Sequence, residues 1–135
     1  MKPLMIISFI VGVAGFALAA APEHKHVLTP AMRWQHNAMS VTNKQWTACK
    51  KSLEAGDFAA ASTALEGMQK TASALEGFKL HKNSEMTEKF KEQADSYRKN
   101  LAELAKAIRE KDKTRTQSLS ATIDNSCVQC HTVFR

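Results

Sequence analysis

Residues 86–108, MTEKFKEQADSYRKNLAELAKAI, contain the clearest helical pattern in the chain. Apolar side chains recur there four or three residues apart, a spacing that aligns them along one face of an α-helix. These side chains are Met86, Phe90, Ala94, Tyr97, Leu101, Leu104 and Ile108. We therefore predict an amphipathic helix that packs against other helices.

Three further segments carry similar apolar seams. The first follows Thr29-Pro30, a capping residue with proline at the first helical position, and the second opens at Asp57. The last opens at Thr114-x-x-Gln117, which resembles a capping box. The seams are Met32, Met39, Trp46, Cys49 and Leu53, then Phe58, Ala61, Leu65, Met68, Ala72 and Leu75, and finally Leu119, Ile123, Cys127, Cys130 and Phe134. Short connections between four such helices predict an all-α, antiparallel up-down-up-down four-helix bundle.

A C-x-x-C-H motif lies close to the end of the last predicted helix. Cys127, Cys130 and His131 share one helical face, because they are three or four residues apart. Two thiols can form thioether links to the vinyl groups of a haem, and the imidazole can then bind its iron. A zinc site would need a second Cys/His pair, and a thioredoxin-type motif would need strands. The motif predicts one covalent haem c, with Cys127 and Cys130 as its attachment points and His131 as the proximal iron ligand.

The N-terminus has the composition of a secretory signal peptide. Lys2 precedes an apolar run from Leu4 to Ala20, and small residues up to Ala21 offer a cleavage site. We expect residues 1–21 to be removed, which leaves residues 22–135 as one haem domain with no membrane span. Export agrees with the motif, since c-type haem is attached outside the cytoplasm, and it predicts a periplasmic protein.

The charged residues indicate what the protein binds. Nineteen Lys and Arg against thirteen Asp and Glu give a formal net charge of +6. The lysines are interspersed with glutamates along the predicted helices, so the pattern does not favour nucleic-acid binding. A positive balance either favours an acidic redox partner through electrostatic steering or only keeps the surface soluble. No acid–base dyad or nucleophile–base pair stands out, so we do not expect an enzyme.

With its motif on the last of four helices, the chain resembles the class II cytochromes c, which comprise cytochrome c′ and its low-spin relatives. The resemblance covers the whole expected mature chain. It is most specific at residues 127–135, CVQCHTVFR, and at Phe90-Lys91 in the third helix. It implies a four-helix bundle whose first helix crosses the distal face of the haem. Members of the family often dimerise through their first two helices, so a homodimer is one implied partner.

The residue on the distal face divides this family by function. Cytochromes c′ leave the iron five-coordinate and bind small gases, whereas the low-spin relatives place a methionine there and carry electrons. Met32, His36 and Met39 all lie on one face of the first predicted helix. We favour Met39, because it precedes Gly56 by about the distance that the family shows and lies deeper in the bundle than Met32. The family's usual arginine four residues earlier is Gln35 here.

Two functions therefore follow from the sequence. In the first, His131 and Met39 are the two axial ligands of a low-spin iron that transfers electrons between redox proteins. In the second, the distal position is open and the haem binds nitric oxide or carbon monoxide. His36 or Met32 as the sixth ligand remains a further alternative.

Overall fold

A computed structural model describes residues 28–135, and over this range the protein is all-helical. The α-helices are α1 (Pro30–Glu54), α2 (Phe58–Ser73), α3 (Thr87–Glu110) and α4 (Lys113–Phe134). Short 3₁₀ helices, Ala74–Gly77 and Ser84–Met86, flank the connection between α2 and α3. The prediction of four helices and no strands is confirmed for these residues. The expected signal peptide, residues 1–21, lies outside them.

The first two helices begin where the sequence predicts. Thr29 accepts a hydrogen bond from the Met32 amide at 3.2 Å, and Pro30 is the first helical residue. Asp57 caps α2 by accepting from the Ala60 amide at 2.9 Å. Between them the chain turns at Gly56, where a φ of +74° suits glycine, which has no Cβ. Local side-chain chemistry therefore determines this corner.

The start of α4 differs from the prediction, and the proposed capping box at Thr114 and Gln117 is wrong. The helix begins at Lys113, so Thr114 already lies within it. Asp112 is the cap, and its side chain accepts a hydrogen bond from the Arg115 amide at 2.9 Å. The turn after α3 passes through Lys111 at a φ of 53° and leaves Asp112 with extended backbone, the conformation that an N-cap requires.

The core lies where the predicted seams meet. Each helix packs on the next along the chain, and α1 also touches α4. The central cluster of buried residues comprises Trp46, Cys49, Ala61, Leu65, Met68, Ala72, Leu101, Leu104, Ile108 and Ile123. Met32 and Met39 of the predicted α1 seam are only half-buried, while Gln35 between them is buried. The first half of α1 therefore lies outside the central core.

The helix pairs are packed unequally. The contact between α1 and α2 is the most extensive, and the side-chain amide of Gln45 in α1 fills the place that a Cβ at Gly67 in α2 would take. Contacts between α1 and α4 are sparse by comparison. The unequal packing leaves open space between α1 and the last two turns of α4.

Within residues 28–135, no helix is both long and apolar enough to span a membrane.

Candidate functional site

Two adjoining cavities occupy the space between α1 and α4. Their volumes are about 520 Å³ and about 700 Å³. Both volumes lie within the range of about 300–1,000 Å³ that is usual for ligand sites. The two cavities share the lining residues Met39, Asn43, Leu75, Phe90, Cys130 and His131. The smaller one also reaches the connection between α2 and α3, and the larger one runs toward the middle of α1.

The motif residues of α4 face this space. Cys130 and His131 border both cavities, and Cys127 borders the larger one. Both cysteines carry free thiols and are half-buried, and His131 is more exposed. The helical spacing thus brings two thiols and an imidazole to one cavity wall, as the sequence predicts.

Burial determines the protonation of these groups. It raises the pKa of Cys127, with a further contribution from the negative charge of Asp124, and it raises the pKa of Cys130. Partial burial, together with the positive charge of Arg135, lowers the pKa of His131. At neutral pH the two cysteines are therefore thiols, and the imidazole of His131 is neutral and able to bind a metal.

Met39 on α1 is the candidate distal ligand that borders the same space. Its side chain lines both cavities, as His131 does from α4. His36, almost one turn earlier, lines only the smaller cavity, and Met32 lines neither. Of the three candidate distal ligands, only Met39 therefore lines both of the cavities that His131 lines.

Aromatic rings and two unpaired polar atoms are among the remaining features of the cavity walls. Phe90 packs edge-on against Phe134, with ring centroids 5.3 Å apart. Gln93 and Tyr97, one turn apart on α3, line the larger cavity. Within residues 28–135, the buried Gln93 Oε1 and Tyr97 hydroxyl have no hydrogen-bond partner. Burial, with a smaller effect of Cys127, raises the pKa of Tyr97, so its hydroxyl is a neutral donor.

Basic side chains surround the smaller cavity. Lys79, His81 and Arg135 line it, together with His36, whose ring centroid is 6.2 Å from that of His81. No Asp or Glu is among its described lining residues. This end of the site is therefore suited to an anionic group.

The connection between α2 and α3 joins α1 to α4. The Gln35 amide donates to the Lys79 carbonyl at 3.1 Å, and the Asn83 amide donates to the Val133 carbonyl at 2.6 Å. Lys82 donates to the Arg135 carbonyl at 2.8 Å. Residues 78–83 therefore form a strap over the end of the cavities.

A second link between α1 and α4 was not predicted from the sequence. The Trp46 indole donates to Asp124 Oδ1 at 2.6 Å, and Lys50 Nζ lies 3.0 Å from the same oxygen. Burial raises the pKa of Asp124, but the hydrogen bonds from Trp46 and Lys50 and the charge of Lys50 outweigh it, so the pKa lies below its ordinary value. All three residues line the larger cavity.

Cys49 and Trp34 line neither cavity. Cys49 is fully buried, as predicted, and burial raises its pKa to about 11. Trp34 is 48% exposed and packs edge-on against Phe78 at the rim. His81 is exposed and lines the smaller cavity.

Over the described range 28–135, no three His, Cys, Asp or Glu side chains converge to form a metal site by themselves. Comparisons with protein-family models, with curated proteins and with solved structures found no match.

Proposed function

We propose that this protein is a c-type cytochrome that carries electrons, with one haem bound covalently between α1 and α4. The observation that carries the proposal is a complete donor set around one space. The thiols of Cys127 and Cys130 and the imidazole of His131 come from α4, and the thioether of Met39 comes from α1. Met39 is distant in the sequence from the three motif residues of α4.

The surroundings of the cavities fit a haem. Leu75, Phe90 and Phe134 offer apolar walls of the kind that a porphyrin ring packs against. Lys79 and Arg135 at the smaller cavity suit the negative propionates. The unpaired Gln93 and Tyr97 atoms line the larger cavity, and unpaired buried polar atoms are uncommon unless a further group completes the site.

Each proposed role follows from the chemistry of its side chain. Cys127 and Cys130 would hold a haem through thiols that can add to its vinyl groups, and the neutral imidazole of His131 would bind its iron. In this site the haem would supply reversible one-electron chemistry at its iron. Met39 completes the ligand set with a soft thioether, which favours the ferrous state and raises the reduction potential relative to two imidazoles. The proposal is an electron carrier and not an enzyme.

The wider setting is proposed on the same basis. Successive helices pack against each other through short connections, an arrangement that favours the antiparallel up-down-up-down order of the class II cytochromes c. An N-terminal signal peptide would deliver the chain to the periplasm, where haem is attached. Removal of residues 1–21 takes away Lys2 and lowers the formal net charge from +6 to +5, and a positive charge favours an acidic redox partner.

The covalent attachment can be tested by replacing the thiols. The full chain is expressed with periplasmic export and haem attachment, and denatured samples are stained for haem on gels. We expect a haem-positive band for the wild type, a weaker band for Cys127→Ala or Cys130→Ala, and no band for the double variant. Cys49→Ala is the matched control, because this thiol is fully buried away from the cavities, and it should keep full staining. A stained band in the double variant would refute the proposal.

A further inference from the structure

Trp46, Lys50 and Asp124 link two helices that otherwise pack loosely. Among the described residues, the side-chain hydrogen bonds between α1 and α4 all belong to this cluster. The Trp46 indole donates to Asp124 Oδ1 at 2.6 Å, and Lys50 Nζ lies 3.0 Å and 3.2 Å from the two carboxylate oxygens. Lys50 Nζ also lies 5.3 Å from the centroid of the Trp46 ring. We call these three residues the α1–α4 clamp.

The clamp lies on the wall of the proposed haem site. Asp124 is one turn before Cys127 on α4, and Trp46 is two turns after Met39 on α1. All of these side chains line the larger cavity. Loss of the clamp would therefore affect the faces of α1 and α4 that carry Met39 and Cys127.

The strap over residues 78–83 holds the other end of the gap. On α1, Met39 lies between Gln35, which is bonded to the strap, and Trp46 of the clamp. On α4, His131 lies between Asp124 of the clamp and Val133, which is bonded to the strap. The two proposed iron ligands thus lie on segments that are fixed on both sides.

The bond between Trp46 and Asp124 is the stronger part of the clamp. Trp46 is only 5% exposed, so its side chain is almost entirely removed from bulk water. A hydrogen bond to a carboxylate is stronger than one between neutral groups, and a buried donor that loses its acceptor is destabilising. The Lys50 and Asp124 side chains are 38% and 47% exposed, and ion pairs at such positions contribute little.

We propose that the α1–α4 clamp sets the separation of α1 and α4 at the haem site, and thereby whether Met39 reaches an iron held by His131. Trp46 and Asp124 are positioning residues in this account, since neither touches the iron. The inference rests on the proposed function, because it needs a haem with Met39 as its distal ligand.

The test compares variants of the haem-loaded full chain. Asp124→Ala removes the acceptor, and Trp46→Phe removes the donor but keeps an aromatic ring. Asp124→Asn retains an oxygen that can accept from Trp46 while losing the negative charge. Glu103→Gln is the matched control, because the Glu103–Arg115 pair also joins two helices but borders neither cavity. Each variant is measured by its sulfur-to-iron charge-transfer band, its rate of carbon monoxide binding and its helicity.

We expect the charge-transfer band to weaken in Asp124→Ala and Trp46→Phe, with carbon monoxide binding about tenfold faster or more. A tenfold change corresponds to about 1.4 kcal/mol of lost coupling. Asp124→Asn should retain most of the band, and Glu103→Gln should retain all of it. If Asp124→Ala does not fold, the comparison of the band in Trp46→Phe and Asp124→Asn tests the role of the clamp.

Three outcomes would overturn the inference. If the wild type has the band and Trp46→Phe and Asp124→Ala keep it unchanged at native helicity, the clamp does not position Met39 and the proposed function stands. If Glu103→Gln weakens the band as much as Asp124→Ala does, the effect is general destabilisation. If the wild type itself lacks the band, the proposed ligation fails and the inference fails with it.

Discussion

The ionisation of the motif residues is the feature on which their proposed chemistry depends. Partial burial and the charge of Arg135 lower the pKa of His131, so its imidazole is neutral at physiological pH. Only the neutral ring has a lone pair to offer to a metal. The half-buried thiols of Cys127 and Cys130 are protonated, because burial raises the pKa of each. All three groups are therefore uncharged at neutral pH.

Met39 is the residue on which the choice between electron transfer and gas binding depends. We expect Met39→Ala to convert a low-spin iron to a high-spin one, because the proposed thioether ligand is removed. The ferrous form should then bind carbon monoxide rapidly, and the reduction potential should fall. Optical spectra, stopped-flow mixing with carbon monoxide and a redox titration measure these changes.

Met32→Ala is the control for this substitution. Met32 lies two turns nearer the start of α1 and borders neither cavity, so its replacement should leave the spectrum unchanged. A low-spin spectrum that persists in Met39→Ala would instead favour His36, which lines the smaller cavity.

Residues whose partners are close in sequence could be predicted, and those with distant partners could not. Cys127, Cys130 and His131 form a contiguous motif, so their common face follows from helical spacing alone. Gln35 and Asp124 are polar and unremarkable in sequence. Their partners, Lys79 and Trp46, are 44 and 78 residues away, and only the packing of the chain brings them together.

At the scale of the elements, α1 contacts its two neighbours in different ways. It packs extensively against α2, whereas it is joined to α4 directly by the clamp and indirectly by the strap. The half-buried Met39 lies on the side of the gap. The same helix thus contributes Trp46 and Cys49 to the core and the candidate distal ligand to the site.

The cap of α4 provides a test at this scale. Asp112→Ala should lower the free energy of unfolding by about 0.5–2 kcal/mol, because the Arg115 amide loses its acceptor. Thr114→Ala is the matched control and should have a much smaller effect, since Thr114 lies inside the helix. Chemical denaturation of both variants measures the difference. Equal destabilisation, or a larger effect of Thr114→Ala, would contradict the assignment of Asp112 as the cap.

The helices themselves could be predicted because their apolar periods are long and their first two caps are local. The α4 cap could not, because two capping signals stand two residues apart, at Asp112 and Thr114. The choice between them depends on the left-handed backbone at Lys111, which could not be predicted from the sequence. The packing of the helices around the site could not be predicted either, because it depends on contacts between residues that are distant in the sequence.

The molecule as a whole has a compact core on one side and open space on the other. The fully buried side chains Leu65, Met68, Leu101, Leu104 and Ile123 lie in the core. The two cavities separate α1 from the end of α4. A haem in that space would contribute apolar surface that the chain does not supply itself.

Loss of the haem should therefore weaken the whole fold. We expect the Cys127→Ala/Cys130→Ala variant to be less helical and to melt at a lower temperature than the haem-loaded protein, because a group held only by the folded state stabilises it. Circular dichroism measures both properties, with Cys49→Ala loaded with haem as the comparison. Native helicity and an unchanged melting temperature in the double cysteine variant would show that the fold does not depend on the haem.

The optical spectrum of the purified wild-type protein, oxidised and then reduced under carbon monoxide, distinguishes an electron-carrying cytochrome from the alternatives. We expect covalently bound haem whose ferric form is low-spin, with a weak sulfur-to-iron charge-transfer band in the far red. We also expect the ferrous form to bind carbon monoxide slowly. A haem-free spectrum would contradict the proposed cytochrome. A high-spin ferric spectrum with rapid carbon monoxide binding would contradict ligation by Met39 and favour a five-coordinate, gas-binding haem protein.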